Sequence, residues 1–172
     1  DATNKNKTYR IYSNDNGKSW TKEEVTSNIF GLFDEAYATF FGSGKLAVDT
    51  KFIGTPEQPR IYGAMLIRKS NGTSTSNYNN YAIYSDDFGK TWHALGGASA
   101  LPAPGGDEPK CEEMPDGRVI LSSRVGGGRI YNIYTYSNTL TGEGSWSTDV
   151  KSTFAGSGLV PGGNSTNGEI LI

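Results

Sequence analysis

Two groups able to do charge chemistry bracket one short segment. Residues 107–124 read DEPKCEEMPDGRVILSSR, with Glu108 near the start and Arg124 sixteen positions later, across a P-D-G turn. A glutamate can take or give a proton. A guanidinium is planar, permanently charged and bidentate, the geometry that suits a carboxylate. Arg124 closes the apolar run RVILSSR, which would anchor it; the plain alternative is a strand-end arginine facing solvent. Glu108 stands between Asp107 and Pro109, and proline holds the chain extended there. Its plain alternative is an exposed charged loop, GGDEPK. Glu112 and Glu113 are rivals. Glu112 shares the strand parity of Glu108 and is therefore expected on the same face.

Other chemistry-bearing residues read as structure first. Arg129, in GGGRIYN, is a turn-flanking charge, with a place on the rim of a substrate site as the alternative. Tyr131 is a core residue by the same logic, and Asn132 goes with it. Asp34 and Glu35 precede the aromatic run YATFF and read as a solvated strand end. His93 is the sole histidine, so a Ser–His–Asp triad is excluded unless His93 serves it. Cys111 is the sole cysteine, which excludes an intrachain disulfide and a cysteine zinc site. It reads as a small buried residue rather than a nucleophile. The sequons at Asn6, Asn71 and Asn164 are expected by chance in a chain this rich in Ser, Thr and Asn. Neither metal nor cofactor is implied. The net charge of −2 implies no general attraction to nucleic acid or anionic membrane. No apolar run is long enough to span a bilayer.

The elements that must position these groups are short strands. Hydrophobic residues are only 35% of the 172, but aromatics are 12% and glycines number 23. KTYRIYS, PRIYGAMLIRKS, NNYAIYSDD, RVILSSR and RIYNIYTYS read as strands. The turn signals NDNG, SNG, DDFG, PDG, GGG and TNG separate them. The chain is expected to be all-β, with about ten strands and at most one short helix or a single helical turn around Thr21–Phe30. The chain opens at DATNKN and stops at NGEILI within an apparent strand; both ends read as cut, so the sequence is expected to be a piece of a longer protein.

One phrase recurs. YSNDNGKSW at Tyr12–Trp20 returns as YSDDFGKTW at Tyr84–Trp92. Ser13, Asp15, Gly17, Ser19 and Trp20 match Ser85, Asp87, Gly89, Thr91 and Trp92. SNTLTGEGSW, residues 137–146, is a weaker echo that is two residues longer and lacks the Asp. Each copy follows an aromatic-rich strand, the mark of a propeller or related array. The spacing has a physical reason. The Asp accepts backbone N–H bonds and closes the turn. The Gly permits positive φ. The Ser or Thr hydroxyl joins the same turn, and the Trp folds back and buries a large apolar area. These Asp residues therefore read as turn staples rather than as catalytic or metal-binding groups.

S-x-D-x-G-x-[ST]-W is the Asp-box, and its repetition resembles the sialidase (neuraminidase) family. The segment DEPKCEEMPDGRVILSSR sharpens the resemblance, since a Glu, a P-D-G hairpin and a strand ending in Arg follow the family's pattern. With GRIYNIYTYS after it, it is most similar to secreted or periplasmic sialidases of Bacteroides-type bacteria. FFGSGKL, residues 40–46, is weakly similar to the strand and turn that follow the family's first Asp-box.

The resemblance implies a six-bladed β-propeller, of which residues 1–172 would form one partial domain of about three blades. The blades would lie around Asp-boxes 13–20 and 85–92 and the degenerate copy at 137–146. It implies an exo-α-sialidase releasing terminal α-linked sialic acid with retention, through a Tyr nucleophile assisted by a Glu. Glu108 takes the place of that Glu, and Arg124 that of one of three arginines that clamp the substrate carboxylate. The acid/base Asp and first Arg would precede Asp1; the Tyr nucleophile and third Arg would follow Ile172. The rest of the propeller would then be needed for a full site, and the piece alone would be inactive. Sialylated glycans would be the partners, at a bacterial surface, in the periplasm or outside the cell. A trans-sialidase would share every residue seen here. The alternative is a non-catalytic Asp-box propeller that binds glycans or proteins, which would keep the turns without needing Glu108 and Arg124 to converge.

Overall fold

In the computed structural model the described residues are 6–33, 36–42, 44–49, 57–69, 78–100, 102–125, 128–151 and 170. They form thirteen strands and one short helix, so the fold is all-β. Nine of the thirteen are longer than two residues, close to the roughly ten expected. All strand pairs are antiparallel.

Three sheets follow one another along the chain. The first is a ribbon of β1 (Tyr9–Tyr12) and β2 (Thr21–Glu24). The second runs β3 (Ala36–Phe41), β5 (Ile61–Lys69), β6 (Tyr78–Ser85), β7 (His93–Ala94). There β4 (Ala47–Val48) also pairs with β5, and β8 (Ala103–Pro104) with β6. The third runs β9 (Asp107–Glu113), β10 (Val119–Val125), β11 (Gly128–Asn138), β12 (Glu143–Trp146), with β13 (Val150–Lys151) added to β11. The recurring phrase joins two neighbouring antiparallel strands of its sheet in each case: β1 to β2, β6 to β7, β11 to β12.

The second sheet is covered on both faces. One apolar cluster joins Tyr62, Ala64 and Ala82 to Cys111, Val119, Leu121, Ile130 and Tyr134 of the third sheet. Its rim carries a hydrogen bond between the Tyr62 and Tyr136 hydroxyls at 2.6 Å. A second cluster joins Met65, Ile67, Tyr81, Ile83 and Trp92 to Val25, Ile29, Phe30 and Phe33. This explains why MLI of β5 and YAI of β6 are continuous apolar runs rather than alternating ones.

The helix expected over Thr21–Phe30 is shorter. α1 spans Thr26–Gly31, and residues 21–24 form β2 instead. Helix propensity in TKEE yields to cross-strand pairing. Arg10 and Glu23 are register partners with an ion pair of 2.5 Å, and the Lys22 ammonium lies 3.9 Å from the Tyr9 ring centre. α1 has no side-chain cap bond, so burial of Ile29 and Phe30 holds it.

Candidate functional site

The ladder between β9 and β10 carries the site. Ser122 pairs with Lys110, but Arg124 pairs with Asp107, so Glu108 and Pro109 together oppose Ser123. This is a β-bulge, which re-aims one side chain. Glu108 takes φ +40°, in the left-handed region that a residue with a long side chain rarely visits. Its Oε2 then lies 3.3 Å from Arg124 Nε. Asp107 accepts from Arg124 Nη2 and, through Oδ1, from the Glu108 N–H at 2.7 Å. All three side chains are about one-third exposed, so solvent and a ligand can reach them.

A cleft of about 390 Å³ opens beside this trio, between the start of β9 and the paired ends of β3, β5 and β6. Phe40, Leu66 and Pro109 supply its apolar wall; Arg68, Asp107 and Glu108 supply its charge. The Arg68 guanidinium lies 5.0 Å from the centre of the Tyr78 ring in the same cleft. Gly42 closes the floor: a Cβ there would fall 2.0 Å from the Pro109 carbonyl oxygen, so only glycine lets the backbones meet.

Glu108 and Arg124 are thus brought together. Glu112 is not. Glu112 lies opposite Ile120, on the sheet face that Arg124 shares, but its carboxylate is paired at 2.7 Å with Lys45 Nζ. Four residues of strand separate Ile120 from Arg124, roughly 13 Å. Arg129 is neither a turn-flanking surface charge nor a rim residue. It is only 9% exposed, and its guanidinium donates from Nε to Ser122 Oγ at 2.6 Å and from Nη2 to the Glu108 and Ser122 carbonyls at 3.0 and 3.1 Å. The β10–β11 register sets it directly opposite Arg124. Asp107, Arg68 and Asn80 escaped the sequence reading. Asp107 is adjacent to Glu108 and could have been raised with it; nothing local marks Arg68 or Asn80.

The repeated turns bond alike. Asp15 Oδ1 accepts from the Ser19 N–H at 2.8 Å and Oδ2 from the Ser19 hydroxyl at 2.7 Å. Asp87 does the same with Thr91, at 2.8 and 2.7 Å. Ser13 and Ser85 donate to these carboxylates and accept from the Gly17 and Gly89 N–H. Both glycines have φ +83°. The Trp residues differ, which corrects the expectation that each would be buried. Trp92 is 4% exposed and packs edge-on to Phe41 under α1, whereas Trp20 is 65% exposed. In the third copy, which lacks the Asp, Asn138 Oδ1 accepts from the Leu140 N–H at 2.9 Å instead.

Of the remaining candidates, His93 is exposed and stacks at 5.2 Å on Tyr84. Cys111 is buried, and burial pushes its thiol pKa up. Tyr131 is half-buried and Asn132 is 1% exposed. Asp34, Glu35 and the sequons at Asn71 and Asn164 lie outside the described residues. Among the described residues no cluster of His, Cys, Asp and Glu could hold a metal ion, and no helix is long and apolar enough to cross a membrane.

No family model matches the chain. Over 112 residues, 65% of the chain, it is 30% identical to a sialidase of Micromonospora viridifaciens. Those residues are 16% of that protein, so the chain spans a small part of the length of the relative it matches. The similarity supports a sialidase-like relationship.

Proposed function

We propose that the chain is part of the catalytic β-propeller of an exo-α-sialidase of the Bacteroides type. The three sheets would be successive blades of six, the first represented by its outer two strands, and the repeated turns would be Asp-boxes. The observation that carries this reading is the convergence of Glu108 and Arg124 at 3.3 Å beside an open cleft, in a chain 30% identical to a sialidase over 112 residues. The substrate would be a terminal α-linked sialic acid on a glycan, and the protein would act at a bacterial surface, in the periplasm or outside the cell.

The chemistry suits the residues. An anomeric centre that already bears a carboxylate repels a carboxylate nucleophile, whereas a neutral Tyr does not. Glu108 would take the proton from such a Tyr, supplied by the rest of the protein. Arg124 would exchange Asp107 and Glu108 for the sugar carboxylate as its anionic partner. An acid would protonate the leaving oxygen, and water would then release the sugar with retention. One observation favours a second reading. Arg124 is already paired with two carboxylates of its own chain, as a purely structural arginine in a non-catalytic glycan- or protein-binding propeller would be.

Release of 4-methylumbelliferone from its α-sialoside by the full-length protein separates the two. Glu108→Gln and Arg124→Ala, each still folded, are expected to lose about a hundredfold or more in turnover. Unchanged turnover in both would remove these residues from the site. No turnover in the unaltered protein would favour the binding propeller.

A further inference from the structure

We infer that Arg129 is a positioning residue for Glu108: its buried guanidinium holds the bulge that aims the Glu108 carboxylate at Arg124. The inference rests on the sialidase reading above and adds to it a residue that does not touch substrate.

Glu108 is in a costly conformation. A left-handed φ at a non-glycine residue costs on the order of 1–3 kcal/mol and persists only where the surroundings over-determine it. Here they do. The Asp107 carbonyl accepts from Asn80 Nδ2 at 3.1 Å, and Asn80 is fully buried. The Glu108 carbonyl accepts from Arg129 Nη2 at 3.0 Å. The Pro109 carbonyl is pressed against Gly42. Three successive peptide groups are therefore gripped, each from a different element: β6, β11 and the end of β3.

Arg129 is the charged member of this grip, and it is itself fixed. Its Nε donates to Ser122 Oγ at 2.6 Å and its Nη2 also to the Ser122 carbonyl at 3.1 Å. Ser122 is 1% exposed and stands two residues before Arg124 on β10. One guanidinium thus ties the strand that carries Arg124 to the residue that must face it. A planar fork of donors makes both attachments at once in a fixed geometry. With the grip gone, β9 is free to return to regular pairing. Continued without the bulge, the Ser122–Lys110 register would seat Glu108 in place of Asp107 opposite Arg124. The Asp107 carboxylate would then leave Arg124, and the Glu108 carboxylate would be displaced from its place 3.3 Å from Arg124 Nε.

The test uses the full-length protein and the aryl α-sialoside. Arg129→Gln is expected to lower kcat by about a hundredfold, since a displacement of about 1 Å costs that much. KM should stay within about twofold, because Arg129 does not contact substrate. In a Glu108→Gln background the same substitution should change the residual turnover by less than about twofold, because the group it positions is already gone. Ser122→Ala, which loosens Arg129 without removing its charge, should lower kcat in the same direction and serves if Arg129→Gln does not fold. An equal fall in both backgrounds, or unchanged kcat in folded Arg129→Gln or Ser122→Ala, would overturn the inference. If Glu108→Gln itself keeps full turnover, Glu108 leaves the site and this inference falls with it; no turnover in the unaltered protein would remove the sialidase reading as well. If Glu108→Gln loses turnover and Arg129→Gln does not, only the positioning role falls.

Discussion

Asp107 stands opposite Arg124 in the β9–β10 ladder, and its two carboxylate oxygens divide their work between the Arg124 guanidinium and the Glu108 N–H. One side chain therefore aims both halves of the proposed site. Asp107→Ala should separate stability from function. The ion pair is about one-third exposed, so its loss is expected to cost less than about 1 kcal/mol in urea unfolding. Turnover of an aryl α-sialoside by the full-length protein should fall by at least about tenfold, through misplacement of Glu108 and Arg124. Comparable small losses in both measurements would deny Asp107 that role.

The two tryptophans of the matched turns should respond very differently. Trp92 is packed into the cluster under α1, so Trp92→Ala is expected to cost about 3–5 kcal/mol. Trp20→Ala, at 65% exposure, should stay within about 1 kcal/mol. Midpoints and slopes of urea unfolding monitored by far-UV circular dichroism check this, and equal costs would contradict the packing described.

Acid should loosen the turns in a defined window. The Ser19 hydroxyl, then the Ser19 N–H and the Ser13 hydroxyl, hold Asp15 down to about 2 from its ordinary 3.8. At Asp87 burial pushes upward, but bonds from Thr91 and Ser85 outweigh it and the net shift is downward. A depressed folded pKa means that the unfolded chain binds the proton first. The stabilisation is therefore present above about pH 4 and is lost as pH falls through the folded value, near 2 for Asp15. Asp15→Asn and Asp87→Asn should each be less stable than the parent at pH 7, with the difference shrinking below pH 4. A gap that stays constant down to pH 2 would assign the loss to something other than the carboxylate charge.

Gly42→Ala should act on the site from the neighbouring sheet. Its Cβ would fall 2.0 Å from a backbone oxygen, which cannot rotate away. The expected cost is about 1–3 kcal/mol. Because the oxygen belongs to Pro109, the residue after Glu108, turnover should fall further than stability explains. Active-site titration alongside calorimetry separates the two, and a variant that is merely less stable would remove Gly42 from the site's support.

Cys111 should be inert while the chain is folded. Its side chain is buried between the sheets, and desolvation raises the thiol pKa. At pH 8 a disulfide reagent should modify it only at the rate of unfolding, and at once in denaturant. Fast labelling of the native chain would show the cluster around it to be open.

What the sequence determined by itself is what lies within a few residues along the chain. The turns are of this kind: Ser13, Asp15 and Ser19, or Ser85, Asp87 and Thr91, bond to partners no more than four positions away, so their spacing alone specifies the hydrogen bonds. The strands YRIY, YAIY and YNIYTY are legible for the same reason, through side-chain type and turn residues on either side. Proximity of Glu108 and Arg124 follows from a single hairpin.

Only the tertiary structure decided what depends on neighbours brought from afar. Nothing in SNDNGKSW and SDDFGKTW tells Trp20 from Trp92; α1 and β3 do, by covering one and not the other. TKEE favours a helix until β1 pairs with it. The extra residue in β9 that seats Asp107 opposite Arg124 is held by Asn80, Arg129 and Gly42, all from outside the β9–β10 hairpin. Arg129 reads as a surface charge beside glycines until Ser122 and the Glu108 carbonyl close around it. A bulge and a buried guanidinium are set by the sum of such distant contacts, and no local pattern of residues encodes that sum.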